Sequence, residues 1–518
     1  MKGRTIKYPI GEQDFKEIRE GGFLYIDKTR FIHTLIEGSK YYFLARPRRF
    51  GKSLFLSTLR YFFEGRRDLF RGLFIDSTDW DWQPYPVLYL DLNSDRFAEP
   101  GMLEPLLDKH FKKWEDEYGV TDIPSTFSQR FSAIIEAAHE KTGKQVVVLV
   151  DEYDKPLSLN INKDDNYEHY RARLASIYSN FKSSAEHLRL VFLTGISRFG
   201  KLSVFSDLNN LKDISFSDAF ADVCGITERE FFDYFKEGTQ ALAEEYGVSY
   251  EDACHMLKQH YDGYRFARKG SDIYNPWSLL NAMAEKRVSN YWNTVGPPSL
   301  VARVLSNTRV DLEKTLNARW RLDRLAGLDL RNANPTALLY QTGYLTMADY
   351  NVRNDTVRLK VPNNEVKDGL FNDLLKLYVR EDHISAESVV EQLVHAIDDG
   401  KPEEMMRCLD AYFAGVPYDL KMDNENNFHN AFYILTTLIG IDARAEAHTS
   451  DGRIDLLIET PEYIYIIELK YDGSPAEALR QIEEKGYARR FAGDSRKIFL
   501  IGVNFSSATR RIEGWEIA

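Results

Sequence analysis

Residues 41–59, YYFLARPRRFGKSLFLSTL, pass from five apolar residues into a helical pattern through Gly51-Lys52-Ser53. A strand apolar at every position is buried on both faces, the condition met in parallel sheets covered by helices. The pattern returns at PVLYLDLN (86–93), VVVLVDEYD (146–154) and LRLVFLTGIS (188–197), with helical or irregular segments between. Strands alternating with helices close βαβ units. The first 235 residues are therefore expected to form an α/β domain around a mostly parallel sheet.

In such a sheet ligands bind beyond the carboxyl ends of the strands. Arg46, Pro47, Arg48, Arg49, Phe50, Gly51, Lys52 and Ser53 occupy that edge, after a strand and at the start of a helix, the setting of a P-loop. Backbone N–H groups there can hold phosphates. Lys52 is expected to reach the β- and γ-phosphates of ATP, and the Ser53 hydroxyl to ligate Mg²⁺. Arg46 stands where the pattern G-x-x-x-x-G-K-[ST] has its first glycine. Downstream, Asp151 and Glu152 end a buried strand, Asp151 to orient Mg²⁺ and Glu152 to polarise water. Arg198 follows the next strand end, Thr194-Gly195-Ile196-Ser197, either as a γ-phosphate sensor or as a cap on a local carboxylate. Asp154 reads as a surface residue or a catalytic one.

A second constellation lies in GRIDLLIETPEYIYIIELK (452–470). Asp455 falls in one apolar strand, and Glu468 and Lys470 lie two apart in the next, so the latter share a face. The intervening ETPEY supplies a turn that can bring Asp455 beside them. Hard Mg²⁺ prefers a few carboxylates plus water, and once bound it activates water and stabilises developing phosphate charge. Asp455 and Glu468 are the expected ligands, with Glu446 a further carboxylate and the Ile467 or Leu469 backbone an extra. Lys470 would orient or deprotonate the attacking water or stabilise the phosphate. The plain alternative is a surface Glu–Lys pair on an edge strand, worth little. YIYII before Glu468 is apolar throughout, as in a central strand, and a buried carboxylate needs a partner charge or metal. Gln481 and Lys485, one turn apart on a helix expected over 475–491, are candidates for substrate contact, and Glu425 or His429 on the preceding helix could edge the pocket.

Between these regions, 236–380 reads as mainly helical. Thr227 and Glu230 form a capping box before it, and Asn275-Pro276 starts a helix. GYLTMADYNVRNDTVRLKVP (343–362) reads as a hairpin turning at Arg353-Asn354-Asp355, giving a winged-helix-like end. Residues 1–75 carry 16 Lys/Arg against 8 Asp/Glu in a chain of net charge −12. Phosphate contact is expected for 46–52; Arg60, Arg66, Arg67 and Arg71 make either a solvated basic face or a phosphate-attracting surface. Cys224, Cys254 and Cys408 have no metal-ligand spacing and suit a reducing cytosol. No apolar leader or membrane-length stretch is present, so a cytoplasmic protein without membrane contact is expected.

RPRRFGKSLFLSTLRYFFEG, VLVDEYDKPL, LTGISRFGKLSVFSDLNNL, YDGYRF (261–266), YNPWSLL (274–280) and FLYIDKT (23–29) together resemble the bacterial AAA-ATPase-like family. Its members pair this ATPase module with a C-terminal PD-(D/E)XK nuclease-like domain. The resemblance covers nearly the full length and makes an arginine at position 46 usual. GRID and IIELK match the aspartate and E-x-K strands of the nuclease superfamily. The Q-x-x-x-Y helix signature is imperfect, since Gln481 is followed by Tyr487. The resemblance implies an AAA-like P-loop ATPase domain (1–235), a helical middle or lid region (236–380) and a PD-(D/E)XK nuclease-like domain with leading helices (381–518). The expected function is ATP-controlled, Mg²⁺-dependent cleavage of nucleic acid, with ATP and Mg²⁺ as cofactors and a homo-oligomer among the admissible assemblies. The alternative is an ATP-dependent signalling or scaffold protein whose nuclease fold binds nucleic acid or a protein partner without cutting.

Overall fold

The computed structural model describes residues 6–93, 95–160, 163–196, 210–292, 315, 318–326, 334–370, 386–414, 442–449, 452–506, 508–509 and 511–518. They fall into two compact units, drawn from Met1–Val295 with Ala318–Val366 and from Gly296–Asn317 with Lys367–Ala518.

The first unit is built on strands β1 (Tyr41–Ala45), β2 (Val87–Asp91), β3 (Val146–Asp151), β4 (Leu188–Gly195) and β5 (Lys212–Asp213). They form one sheet in the order β2-β3-β4-β1-β5, and every pairing is parallel. Burial of all five β1 residues and all six of β3 follows from their central position between helical layers. Helix Lys52–Phe63 covers the sheet with Phe55, Leu56, Leu59, Phe62 and Phe63, all buried. Register pairs Ala45 with Gly195 and Asp91 with Asp151. One carboxyl edge thus carries the 46–51 loop, two aspartates and the end of β4.

Residues 226–285 of this unit pack a second core, with Phe231, Leu242, Leu257, Tyr261, Tyr274 and Leu279 buried. The Thr227–Glu230 capping box forms, and Asn275 caps the helix Pro276–Glu285. Between these helices β6 (Ile226–Thr227) pairs with β7 (Ile273–Tyr274). Strands β9 (Thr346–Asn351) and β10 (Thr356–Lys360) make the hairpin around Arg353–Asp355, and β8 (Arg319–Arg321) adds a third antiparallel strand.

The second unit holds β11 (Asp442–Thr449), β12 (Gly452–Glu459), β13 (Tyr463–Tyr471), β14 (Lys497–Ser506) and β15 (Arg511–Ile517), hydrogen-bonded in that order. Pairing is antiparallel except between β13 and β14. Five consecutive buried residues, Ile464–Glu468, mark β13 as the central strand. The helix expected over 475–491 ends earlier, at Glu484, and a 3₁₀ turn covers Tyr487–Phe491. Gly486 between them takes φ 62°, a left-handed conformation that ends a helix cheaply only at glycine.

Candidate functional site

The loop after β1 turns through Arg49 (φ 70°) and Gly51 (φ 88°) before the helix begins at Lys52. Left-handed backbone costs an ordinary side chain about 1 kcal/mol or more, so the loop is held by its side chains. Phe50 packs edge-on against Tyr264 and Phe266, and the Arg49 guanidinium lies 3.7 Å over the Trp277 ring. Arg48 is exposed. Lys52 is buried with its ammonium 3.2 Å from the Pro47 carbonyl and 3.5 Å from Glu152 Oε1. The lysine thus sits between the loop and the end of β3.

At that end Asp151 is buried, accepts a hydrogen bond from the Thr194 hydroxyl and is also hydrogen-bonded by Ser53. Burial pushes its carboxyl upward, and the Thr194 and Ser53 bonds oppose the shift. Glu152 takes φ 53°, strained for a glutamate, and donates its N–H to Thr194 Oγ1. Ser53, Lys52, Asp151 and Glu152 are therefore drawn together from segments about 100 residues apart in sequence. Asp154 is buried and accepts from the Ile196 N–H.

Arg46 is placed differently. It is 2% exposed, and its guanidinium donates to the carbonyls of Ala45, Ser215, Phe220 and Ala221 beneath the Phe266 ring. The side chain ties the loop to segment 215–221. Arg198 lies outside the described residues. Arg60, Arg66 and Arg67 pair with Glu64, Asp68 and Asp76, as a solvated basic face does.

Sequence reasoning missed an apolar cavity beside the loop, lined by Leu24, Ile26, Gly51, Leu54, Val223 and Ile226 among others. Its volume is ≈ 90 Å³, smaller than the roughly 300–1,000 Å³ of small-molecule pockets. Lys28 in its wall is paired with Glu230 at 2.7 Å. The FLYIDKT motif gave a signal, but only folding shows that Leu24 and Ile26 line a cavity.

In the second unit β12 and β13 run antiparallel with Leu456 opposite Ile467. Asp455 Oδ2 accepts the Leu469 N–H at 2.9 Å. Glu468 is 2% exposed, and Lys470 Nζ lies 3.9 Å from its Oε1. Gln481 bridges the pair, donating to Glu468 Oε1 and accepting from the Lys470 ammonium. Among the described residues Glu468 Oε2 has no hydrogen-bond partner. Burial, and then the Asp455 charge, push the Glu468 carboxyl from 4.5 up to about 7.

Gly502 makes this bridge possible. It pairs with Glu468 across β13 and β14. A Cβ there would stand 2.2 Å from the Pro475 carbonyl and 2.9 Å from the Leu479 nitrogen. Only a glycine lets helix Pro475–Glu484 ride low enough for Gln481 to reach the strand. Lys485 is exposed and caps this helix. Glu446 lies in β11 between Ala445 and Ala447, which pair with Leu456 and Ile454 around Asp455. Glu425 and His429 lie outside the described residues.

Two adjacent carboxylates, one with a buried oxygen that lacks a partner among the described residues and a proton held to near neutrality, suit a hard divalent cation. Among the described residues, no cluster of three His, Cys, Asp or Glu side chains is placed to hold a metal. Among the described residues no helix is long and apolar enough to cross a membrane.

Residues 9–205 match the family model described as a predicted AAA-ATPase, and residues 423–515 match that of the PD-(D/E)XK nuclease superfamily. A protein of Azotobacter chroococcum mcd 1, named an uncharacterized protein in the vnfD 5' region, is 34% identical over 522 residues. The alignment covers 99% of this chain and 98% of that one. No solved structure matches the chain.

Proposed function

Because this chain belongs to the AAA-ATPase-like family and carries a PD-(D/E)XK nuclease superfamily domain, we propose that it binds and hydrolyses ATP and cleaves nucleic acid under the control of that nucleotide. The observation that carries the reading is the Asp455–Glu468–Lys470 group, with Gln481 locking the last two together.

For the nucleotide, Gly51 to Ser53 provide the helix N-terminus at which phosphates are held. Lys52 supplies positive charge to the terminal phosphates, exchanging its bonds to Pro47 and Glu152 for them. Arg48, exposed on the loop, adds charge, while Pro47, Arg49 and Phe50 fix the loop's shape. Ser53 and Asp151 would hold Mg²⁺, and Glu152 would polarise the attacking water. The small apolar cavity of Leu24, Ile26 and Val223 lies beside Gly51. Arg46 contributes by anchoring the loop.

For cleavage, Asp455 and Glu468 would hold Mg²⁺, with Glu446 as a further carboxylate. The ion's chemistry is to lower the pKa of a bound water and offset phosphate charge. Lys470, aimed by Gln481, orients that water or stabilises the phosphate. Glu468 must release its proton before it can bind a cation, since ligands bind deprotonated.

A second reading is favoured by the two-carboxylate count among the described side chains: a nuclease fold that binds nucleic acid or a protein without cutting it. Calorimetric titration of the full chain with Mn²⁺ discriminates between them. The enzyme reading expects uptake that disappears in Glu468→Ala. Uptake unchanged by that substitution, or none in the wild type, contradicts it.

A further inference from the structure

A buried carboxylate that belongs to neither site is Glu365. It is 0% exposed, and its Oε1 accepts the N–H groups of Tyr291 at 2.6 Å and Trp292 at 2.8 Å. Such a group is costly unless hydrogen-bonded, and two charge-assisted bonds to backbone offset that cost. Its partners are notable for where they lie in the chain. The first unit gives way to the second after Val295 and again after Val366. Glu365 stands one residue before the second crossing, and Trp292 three before the first. One side chain therefore ties together both segments by which the chain leaves the first unit.

Two lines of packing join this tie to the phosphate loop. Along one, Phe50 of the loop packs on Tyr264 with ring centroids 4.7 Å apart. Tyr264 is wholly buried, its hydroxyl has no partner among the described residues, and burial and then the Glu365 charge hold its phenol well above the usual range. Gly263 (φ 102°) keeps this segment against Pro362, where a Cβ would stand 2.1 Å from the carbonyl oxygen. Asn363 closes the contact by donating to the Asp262 carbonyl and accepting from Val366 N–H. Along the other line, a Cβ at Gly343 would meet Pro47 of the loop at 2.7 Å and the Trp292 ring at 3.6 Å. Both lines start on loop residues and end on the Glu365–Trp292 tie.

Resting on the ATP reading of the loop, we infer that Glu365 is a clasp through which an occupied phosphate loop tightens the two chain segments leading out of the first unit. Phosphate bound across Gly51–Ser53 fixes the loop, and with it Pro47 and Phe50. Gly343 and Tyr264 then have a rigid partner, and the Tyr291 and Trp292 amides stay on Glu365. Close packing transmits such a change because well-packed groups shift between discrete arrangements rather than deform smoothly. Glu365 is a positioning residue here; it touches neither phosphate nor metal.

Amide hydrogen exchange of the full chain, with and without Mg²⁺–ATP, reads the bonds themselves. The expected result is several-fold slower exchange at Tyr291 and Trp292 together with protection of the amides at 50–53. Glu365→Gln, whose neutral oxygen accepts more weakly, should exchange faster at 291–292 while the loop amides are still protected. Loop protection with unchanged exchange at 291–292 overturns the clasp and leaves ATP binding standing. If the loop amides are unprotected as well, the ATP reading fails with it.

Discussion

At the scale of single residues, Lys52 and Glu468 carry the two sites. Lys52 lies within reach of both the loop carbonyl of Pro47 and the Glu152 carboxylate. A hydrogen bond to a charged group is worth about 1.5–3 kcal/mol, so Lys52→Ala is expected to weaken ATP binding by about tenfold to a hundredfold. Calorimetry, with circular dichroism showing the fold intact, checks this. Glu468 makes a prediction in pH. Its folded-state carboxyl titrates near pH 7 against an ordinary 4.5. The folded protein thus keeps a proton that the unfolded chain releases. The stability Glu468 contributes is fully present below pH 4.5 and is lost as pH rises through 7. Glu468→Gln should remove that loss and be more stable than wild type at pH 8, measured by urea denaturation at pH 5 and pH 8. An unchanged pH dependence contradicts the burial argument. The same proton competes with metal, so Mn²⁺ affinity should fall by about tenfold per pH unit below 7.

At the scale of elements, what was legible in the sequence is what is set locally. YYFLA and VVVLVD are strands because apolar residues at every position suit a strand covered on both faces, and Gly51-Lys52-Ser53 starts a helix where the pattern put it. The terminal strand β15 was not legible, because RIEGWEI pairs only with β14 and mixes buried with exposed residues. Gly486 after Lys485 is a local helix-stop signal, since glycine takes the left-handed conformation that ends a helix. The direction of Arg46 depends on carbonyls some 170 residues away, and no local pattern announces it. The part played by Gln481 was hidden for a similar reason. Its reach depends on how closely helix Pro475–Glu484 approaches Gly502, not on a tyrosine four residues on. Gly502→Ala tests that link. The added methyl should destabilise the second unit by about 1–3 kcal/mol, lower its melting temperature and weaken Mn²⁺ uptake by lifting Gln481 from Glu468. A stable variant with wild-type uptake would show that the bridge does not depend on the helix height.

At the scale of the whole molecule, two sites of different chemistry are joined by a chain that leaves its first unit at two places, after Val295 and after Val366. The first gathers a helix N-terminus, a lysine and two acids at one sheet edge; the second sets carboxylates and a lysine on neighbouring strands. Glu365 gives the first a physical means of acting on the crossings. Nucleotide control is a coupling free energy, so it is reciprocal in binding. If ATP tightens Mn²⁺ binding, Mn²⁺ must tighten ATP binding by the same factor. The most direct measurement is cleavage of single- and double-stranded DNA and RNA by the full chain with Mg²⁺, with and without ATP, beside Lys52→Ala and Glu468→Ala. The account predicts cutting of at least one of these substrates that needs Mg²⁺, changes with ATP in the wild type but not in Lys52→Ala, and vanishes in Glu468→Ala. Cutting that survives Glu468→Ala, or no cutting of any substrate in either nucleotide state, contradicts it.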